Sequence, residues 1–400
     1  MKTKLLLIMP SLYAGGAEKS FISMLPLLPR DKFDINVMIV HEGGLFYSRL
    51  PQDIKVIEAP KNLKIALGSI HGDFIKKKCN IWDKVCKIAS NIIIRFRTLF
   101  NLDFSQLTWM LWKNSIPRLE THYDVAISYT NGITNYYVID KINATKKILW
   151  VHTDFNKVKA NHKFEYTYFS KADKVVTISL LCVKSLKDNF PNLKNKFICL
   201  ENISSGNIIQ TMANEYYPKE YNKEDDKTIK ILSIGRLSIE KGFDLAIEAS
   251  NILYQKQFNF KWFIIGVGSL ELDLQNRIIE YKLQDTVYLL GQRSNPYPYI
   301  QHCDIFIQTS RFEGKSIVVD EAKILNKPII ATNYPSVSDN IKNNITGIIC
   351  DLSPTNIAET IINLSKDKSK QKDLITNLNK MCNGNEEEIE KYIELFHINQ

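Results

Sequence analysis

No Cys-x-x-Cys pair occurs in this chain. Its seven cysteines (Cys79, Cys86, Cys182, Cys199, Cys303, Cys350 and Cys382) are odd in number and widely spaced. That spacing argues against a zinc site or a disulfide framework and for scattered core or surface thiols. Long apolar runs are also missing. Leu5 to Met9 is five residues, far short of the ~20 that a membrane-spanning helix needs. Lys2 and Lys4 precede that run like the basic start of a signal peptide, but Pro10 follows with no small-residue cleavage site. The first predicted strand is followed neither by G-x-G-x-x-G nor by a Gly-Lys-Ser/Thr phosphate loop, which disfavours a dehydrogenase and a P-loop enzyme. There is no internal repeat, no low-complexity tract and no D-x-D pair placed as a metal site; Asp225-Asp226 lies in a charged stretch. The expected location is cytoplasmic, soluble or peripheral on the inner face of the cell membrane.

What is there is ordinary in bulk and uneven in charge. Of 400 residues, 44% are apolar and 24% charged, enough for more than one core and a prior of two to three domains at ~150 residues each. Residues 1–200 hold 30 Lys/Arg against 16 Asp/Glu, whereas residues 201–400 hold 22 against 27. A basic half joined to an acidic half suggests two units with different partners, and basic surface suits phosphate, anionic lipid or nucleic acid.

Short apolar strands alternate with helical stretches along the whole chain. Lys4 to Met9, Phe33 to His41, Asp124 to Tyr129, Lys147 to Val151 and Lys174 to Ser179 read as strands. Ala17 onward is helical in pattern, with Phe21, Met24, Leu25 and Leu28 at 3–4 spacing. A polar stretch, Asn214 to Thr228, marks the neighbourhood of a domain boundary. The pattern then restarts at Ile229 to Ile234, Trp262 to Ile265, Val287 to Leu290, Ile305 to Gln308, Pro328 to Ala331 and Gly347 to Cys350. The expectation is α/β, two Rossmann-like doubly wound parallel-sheet domains with a ligand cleft between them. The expected bounds are 1–205 and 206–380, with a last helix in 386–400 packing back on the first domain.

Residues 74–100 carry seven Lys/Arg against one acid, Asp83. Ile81, Val85, Ile88, Ile92, Phe96 and Leu99 fall on one helical stripe, and Lys84, Lys87, Asn91 and Arg95 on another. Such a basic amphipathic segment, taken here as 74–118 with Trp82, Trp109 and Trp112, suits an anionic membrane surface, each Lys or Arg contributing about 1 kcal/mol. A core-packed helix with a solvated basic face fits equally. Nucleic acid is not expected, since no binding motif accompanies the charge.

Three loops suit a phosphate-bearing ligand. Gly15-Gly16 ends the first strand's loop and opens a helix, where amides and the helix dipole favour an anion. Arg236 and Lys241 flank the loop after Ile229 to Ile234, a planar fork and a point charge that can straddle a diphosphate. Glu313 precedes, and Glu321 lies within, a helix starting near Ser316; a carboxylate there can accept two hydrogen bonds from a ribose diol, and the amides of Gly314, Lys315, Ser316 and Ile317 can receive a phosphate. Singly, each also reads as a plain turn, a surface ion pair or a capping acid.

In order, G-G-A-E (15–18), G-R-x-x-x-x-K-G (235–242), Gly266-Val267-Gly268 and S-R-x-E-G-x(6)-E-A (310–322) resemble the retaining glycosyltransferases of family 4, which have the two-domain GT-B fold. The resemblance covers nearly the whole chain, and Glu313 with Glu321 forms its E-x(7)-E motif. It implies an acceptor-binding first domain and a second domain that binds a nucleotide-sugar. Arg236 and Lys241 would neutralise the diphosphate, with Lys315 adding a cation. Glu321 would hold the ribose, Glu313 would lie by the sugar ring, and Gly15 and Gly16 would bring amides to the phosphates. His152, ending a strand of the first domain, is similar to the family's sugar-binding histidine. Asn202 and Gly266 take supporting roles. Lys315-Ser316 stands where an aromatic and Pro are frequent, and Pro335-Ser336-Val337-Ser338-Asp339 where a Gly-Gly-x-x-Glu-like run is common; these departures leave the donor sugar open.

The resemblance implies transfer of a hexose or N-acetylhexosamine from a nucleotide-sugar, with UDP favoured, to a glycan acceptor in bacterial surface polysaccharide assembly. The acceptor is expected to be polyprenyl-diphosphate-linked. No metal or other cofactor is expected, because cations and a helix dipole can neutralise the departing diphosphate. The alternatives are a nucleotide-sugar epimerase of the same architecture and a non-catalytic membrane-associated partner protein.

Overall fold

The computed structural model describes residues 2–13, 15–44, 46–68, 88, 103–221, 227–313, 316–381 and 384–398. The chain divides into two compact units, one of residues 1–202 with 387–400 and one of residues 203–386. The basic stretch 74–102, apart from Ile88, lies outside the described residues, as do Gly314 and Lys315.

In the first unit seven strands are described: β1 (Thr3–Ser11), β2 (Phe33–His41), β3 (Lys55–Val56), β4 (Leu119–Ser128), β5 (Ile142–Val151), β6 (Lys174–Thr177) and β7 (Phe197–Cys199). They form one sheet in the order β3-β2-β1-β4-β5-β6-β7, with every neighbouring pair parallel. A parallel strand covered on both faces needs side chains that are apolar on both, which Leu5 to Met9 supply, each wholly buried. The helix predicted from Ala17 runs Gly16–Met24 and tightens into a 3-10 turn, Leu25–Leu27. Pro26 has no amide to donate and so ends the regular helix there. β4 and β5 begin at Leu119 and Ile142, earlier than the expected Asp124 and Lys147, because Leu119–Tyr123 pair with Ile142–Ala144 through a bulge.

The helix Ile389–Phe396 belongs to this unit. Its Tyr392 and Phe396 rings lie 5.8 and 6.2 Å from the Trp150 ring on β5. The Tyr392 hydroxyl donates to Glu201 O at 2.8 Å.

The second unit holds β8 (Ile229–Ile234), β9 (Phe260–Ile265), β10 (Val287–Gly291), β11 (Ile305–Gln308), β12 (Ile329–Thr332) and β13 (Ile348–Cys350), ordered β10-β9-β8-β11-β12-β13. All neighbours are again parallel. Successive residues of a strand face opposite sides, and the two cores follow that alternation. Ile231, Trp262, Ile264 and Ile305 pack on one face, and Leu232, Phe263, Ile265 and Phe306 on the other.

The division falls between Asn202 and Ile203, slightly before the expected 205/206. Ser205 caps the helix Gly206–Ala213 by accepting from Ile208 N, and Ser204 N donates to Asn385 Oδ1 at 2.8 Å, so these serines go with the second unit.

Candidate functional site

In a doubly wound sheet, ligands sit outside the carboxyl ends of the strands where the strand order reverses. In the second unit that point lies between β8 and β11, which are hydrogen-bonded neighbours. The loop after β8 carries Arg236 and Lys241, and the loop after β11 carries Glu313.

Glycine geometry lets these loops touch. Gly242 (φ 65°) ends the 3-10 turn Ile239–Lys241 and opens the helix Phe243–Gln255; a Cβ there would stand 2.1 Å from Thr309 O. Gly266 lies at φ 152°, and a Cβ on it would meet Gly235 O at 1.8 Å. Only a residue without a side chain lets the end of β9 lie against the β8 loop. Further bonds clamp the loops together. Thr309 Oγ1 donates to Lys241 O at 3.0 Å and Arg311 N to Glu240 O at 2.8 Å. The Arg311 guanidinium forks the Asp244 carboxylate at 2.7 and 2.6 Å. Arg311, quoted in the motif without a role, is thus a clamp on the first turn of the helix that follows the β8 loop.

Within this frame Lys241 Nζ pairs with Glu313 Oε1 at 2.6 Å. The same oxygen accepts from Gln308 Nε2 at 2.6 Å and from Ser310 Oγ at 2.7 Å. Lys241 therefore does not stand open for a diphosphate alone, as its predicted role implies; the ammonium is held by Glu313. An ammonium has three donors, so this bond leaves two for phosphate oxygens. Arg236 is exposed, and among the described residues its side chain makes no hydrogen bond or ion pair. Its charge nonetheless reaches Glu240, whose carboxyl it helps hold below the usual range.

Glu321 lies inside the helix Ile317–Ile324, 1% exposed, and its Oε1 accepts from the Tyr297 hydroxyl at 2.9 Å. Tyr297 is held in turn, its amide donating to Asn295 Oδ1 at 3.1 Å while Asn295 Nδ2 donates to Met212 O at 2.7 Å. Ser316 is the N-cap of the Glu321 helix. Its amide donates to Asn340 Oδ1 at 3.2 Å, which takes it out of the set of amides expected to receive a phosphate. Its buried hydroxyl has no partner among the described residues. Ile317 is the first helical residue.

In the first unit the order reverses between β1 and β4. Gly15 follows β1 as N-cap of the helix Gly16–Met24, and the Glu18 carboxylate lies over it, where a Cβ would meet Oε2 at 2.1 Å. The helix's own acid thus occupies the space beside its N-terminus. His152 follows β5, and its Nε2 donates to Tyr129 O at 2.7 Å. Tyr129 follows β4. Its ring stacks on Trp150 with centroids 4.9 Å apart, and its hydroxyl meets Ser20 Oγ of the Gly16–Met24 helix at 3.0 Å. Tyr129 thereby ties the predicted Gly15-Gly16 loop to the predicted histidine. Burial lowers His152 to about 4, against the smaller opposing pull of the Tyr129 carbonyl. The ring is neutral at pH 7, and with Nε2–H committed to a carbonyl, Nδ1 is the acceptor. Asn202 is buried as the last residue before the division.

Trp109 and Trp112, read as membrane-interface candidates, are core residues at 0% and 5% exposure. Trp109 Nε1 donates to Asp140 Oδ2 at 3.0 Å. Gln308, Tyr297, Tyr129 and Asn340 went unassigned from sequence. Only Gln308 carried a signal, as a polar residue closing the apolar strand Ile305-Phe306-Ile307. Among the described residues no group of three His, Cys, Asp or Glu is arranged to hold a metal, and no helix is long and apolar enough to cross a membrane.

Residues 217–381, within the second unit, match the family described as "Glycosyl transferases group 1". The chain is 32% identical over 223 residues to the uncharacterized glycosyltransferase MJ1059 of Methanocaldococcus jannaschii, covering 53% of this chain and 54% of that protein. It is 27% identical over 339 residues to the N-acetylgalactosamine-N,N'-diacetylbacillosaminyl-diphospho-undecaprenol 4-alpha-N-acetylgalactosaminyltransferase of Campylobacter jejuni, covering 83% and 81%. The match spans about half the length of MJ1059 and of a second Methanocaldococcus glycosyltransferase. Among solved structures, HepE of Anabaena in complex with UDP and glucose superposes with a TM-score of 0.69 at 15% identity, covering 98% of both chains. The two parallel-sheet units are those of the GT-B fold.

Proposed function

We propose that this chain is a retaining glycosyltransferase of family 4, moving a hexose or N-acetylhexosamine from a UDP-sugar to a glycan acceptor. The observation that carries the reading is the Lys241–Glu313 pair at 2.6 Å at the β8/β11 reversal, beside exposed Arg236. A sugar-diphosphate needs two things from a protein. Its leaving diphosphate needs fixed positive charge, and its ring, as it gains oxocarbenium character, needs a nearby carboxylate. Arg236 and Lys241 supply the first and Glu313 the second. Glu321, held by Tyr297, takes the ribose diol. Ile317 at the helix start takes phosphate oxygens together with Gly314 and Lys315. In the first unit, His152 offers Nδ1 as an acceptor for a sugar hydroxyl.

In the step itself the anomeric carbon–oxygen bond to the diphosphate breaks and a bond to the acceptor oxygen forms on the same face. The acceptor's proton passes to the departing diphosphate, which leaves paired with Arg236 and Lys241 and without a divalent ion. The acceptor is polyprenyl-diphosphate-linked, and the protein works at the cytoplasmic membrane face in surface polysaccharide assembly. The Campylobacter relative, named for an undecaprenol-linked acceptor, supports that reading, and the HepE complex with UDP supports the nucleotide.

Turnover with a panel of UDP- and GDP-sugars and a polyprenyl-diphosphate saccharide extract tests this. Transfer with UDP release is expected. Interconversion of donor sugars without transfer would replace the reading with an epimerase, and inactivity with every donor would remove it.

A further inference from the structure

We propose that Gln308 is a positioning residue for Glu313. Its carboxamide commits one carboxylate oxygen to the protein, so that only the other is presented to the transferred sugar. The inference rests on the glycosyltransferase reading above and names how its reacting-centre carboxylate is aimed.

Gln308 closes β11 after Ile305-Phe306-Ile307 and is 3% exposed. A carboxamide at such a place is costly unless its donors and acceptors are met. Its Nε2 is met twice, donating to Glu313 Oε1 at 2.6 Å and to Ser310 Oγ at 2.5 Å. Its Oε1 is buried and has no partner among the described residues. Turning the amide end for end would set that oxygen against an anion, so Glu313 dictates the orientation and the unmet acceptor is its consequence. A leucine would fill similar volume with no unmet acceptor. The geometry therefore points to the Nε2 contact as the reason for glutamine here.

The effect on Glu313 is directional. Oε1 takes donors from three places: Lys241 in the loop after β8, Gln308 on β11, and Ser310 in the loop after β11. The Glu313 carbonyl also accepts from Ser336 Oγ at 2.7 Å, which fixes the backbone. Oε2 accepts no hydrogen bond from a described residue. A carboxylate pinned through one oxygen cannot rotate, so its remaining lone pairs point in a set direction, and that aim is what a transition state rewards. The charged and titratable groups facing this site are Lys241, paired with Glu313, and Tyr334, raised by burial and by the Glu313, Asp320 and Asp339 carboxylates.

The test compares Gln308→Leu and Gln308→Glu in the full chain, using UDP binding by calorimetry, kcat and KM with the best UDP-sugar, and melting temperature. For Gln308→Leu, UDP affinity should stay within about twofold and donor KM within about threefold, while kcat falls about 10- to 100-fold. Gln308→Glu keeps the shape but donates only while protonated. Its kcat should therefore rise relative to wild type as pH falls from about 8 to about 6. A Gln308→Leu kcat within about twofold of wild type, or a flat ratio for Gln308→Glu, overturns the inference. A melting cycle of Gln308→Leu with Glu313→Leu decides the contact without any turnover: non-additive shifts support it and additive shifts overturn it. Wild-type inactivity with every donor, alongside a non-additive cycle, would instead fault the glycosyltransferase reading and leave the contact standing.

Discussion

The two units share one sheet order around their first strand, yet a set of fold-bonded lysines in the first and the Arg236–Lys241 pair in the second lie at opposite ends of it. In the first unit, Lys147 Nζ donates to Ile139 O at 2.9 Å, Lys146 to Leu395 O at 2.7 Å, Lys174 to Asn195 O at 3.1 Å and Lys196 to Ser170 O and Ala172 O, each at 2.6 Å. These carbonyls end helices or helical turns, where the dipole is negative and orphan acceptors collect. Parallel α/β packing brings helix C-termini to the amino ends of strands, so lysines there complete the fold. In the second unit, Arg236 and Lys241 sit at the carboxyl end of β8, close to helix N-termini, where the dipole repels a cation. Charge held against the dipole needs an anion, and Glu313 answers part of that need. A half-chain's net charge thus says little about where an anionic ligand goes, and the end of the sheet says more.

That contrast can be broken experimentally. The largest expected effect is from Glu313→Ala or Lys241→Ala, each cutting turnover by more than about tenfold, of the order seen when a preorganised charge is removed, with the fold intact by circular dichroism. Near-normal rates in both would empty the second unit's site. His152→Ala should cost about tenfold in kcat, less than either. Its pH behaviour is separable. Burial lowers the folded ring to about 4, while an unfolded histidine titrates near ~6.5. The unfolded chain therefore binds the proton first, and stability is full above about 6.5 and declines as pH falls toward 4. His152→Gln should flatten that part of the urea-midpoint profile; an unchanged slope would refute the buried neutral ring.

Gly242→Ala should lower stability by about 2–3 kcal/mol, because it adds left-handed strain to a clash with Thr309 O. Gly291→Ala, at φ 68° with nothing within 4 Å of its Cβ, should cost only about 1 kcal/mol. Equal losses would mean that the close approach of the β8 and β11 loops does not matter. The smallest effect is Lys147→Met, a loss of about 0.5–1 kcal/mol in thermal melts with kcat within about twofold. A strong catalytic defect there would move the first unit's lysines from fold to function.

Much of the fold was legible in advance because a parallel strand buried on both faces is largely apolar, and Leu5–Met9, Ile231–Leu232 and Ile305–Ile307 announce themselves that way. Gly242 and Gly266 were legible as glycines in loops, though not as close approaches, since what a Cβ would meet belongs to a distant strand. Lys241 and Glu313 were both singled out, but their pairing was not visible across 72 residues of separation. Trp109 and Trp112 misled for the same reason. A tryptophan near a basic run looks alike in sequence whether its indole meets lipid or, as here, the Asp140 carboxylate.

Residue order alone determined the alternation of strand and helix, the restart of that alternation after Thr228, and which loops carry glycine, cation and acid. Those are local properties, set by backbone freedom and by the period of apolar side chains. Only the tertiary structure decided which of those groups meet. Gln308 joins Lys241 on one oxygen of Glu313, and Tyr129 links Ser20 to His152, because the sheet order makes β8 and β11 neighbours, and likewise β1, β4 and β5. Hydrogen bonds reach about 3 Å, and no spacing along a chain specifies contact at that range between residues so far apart.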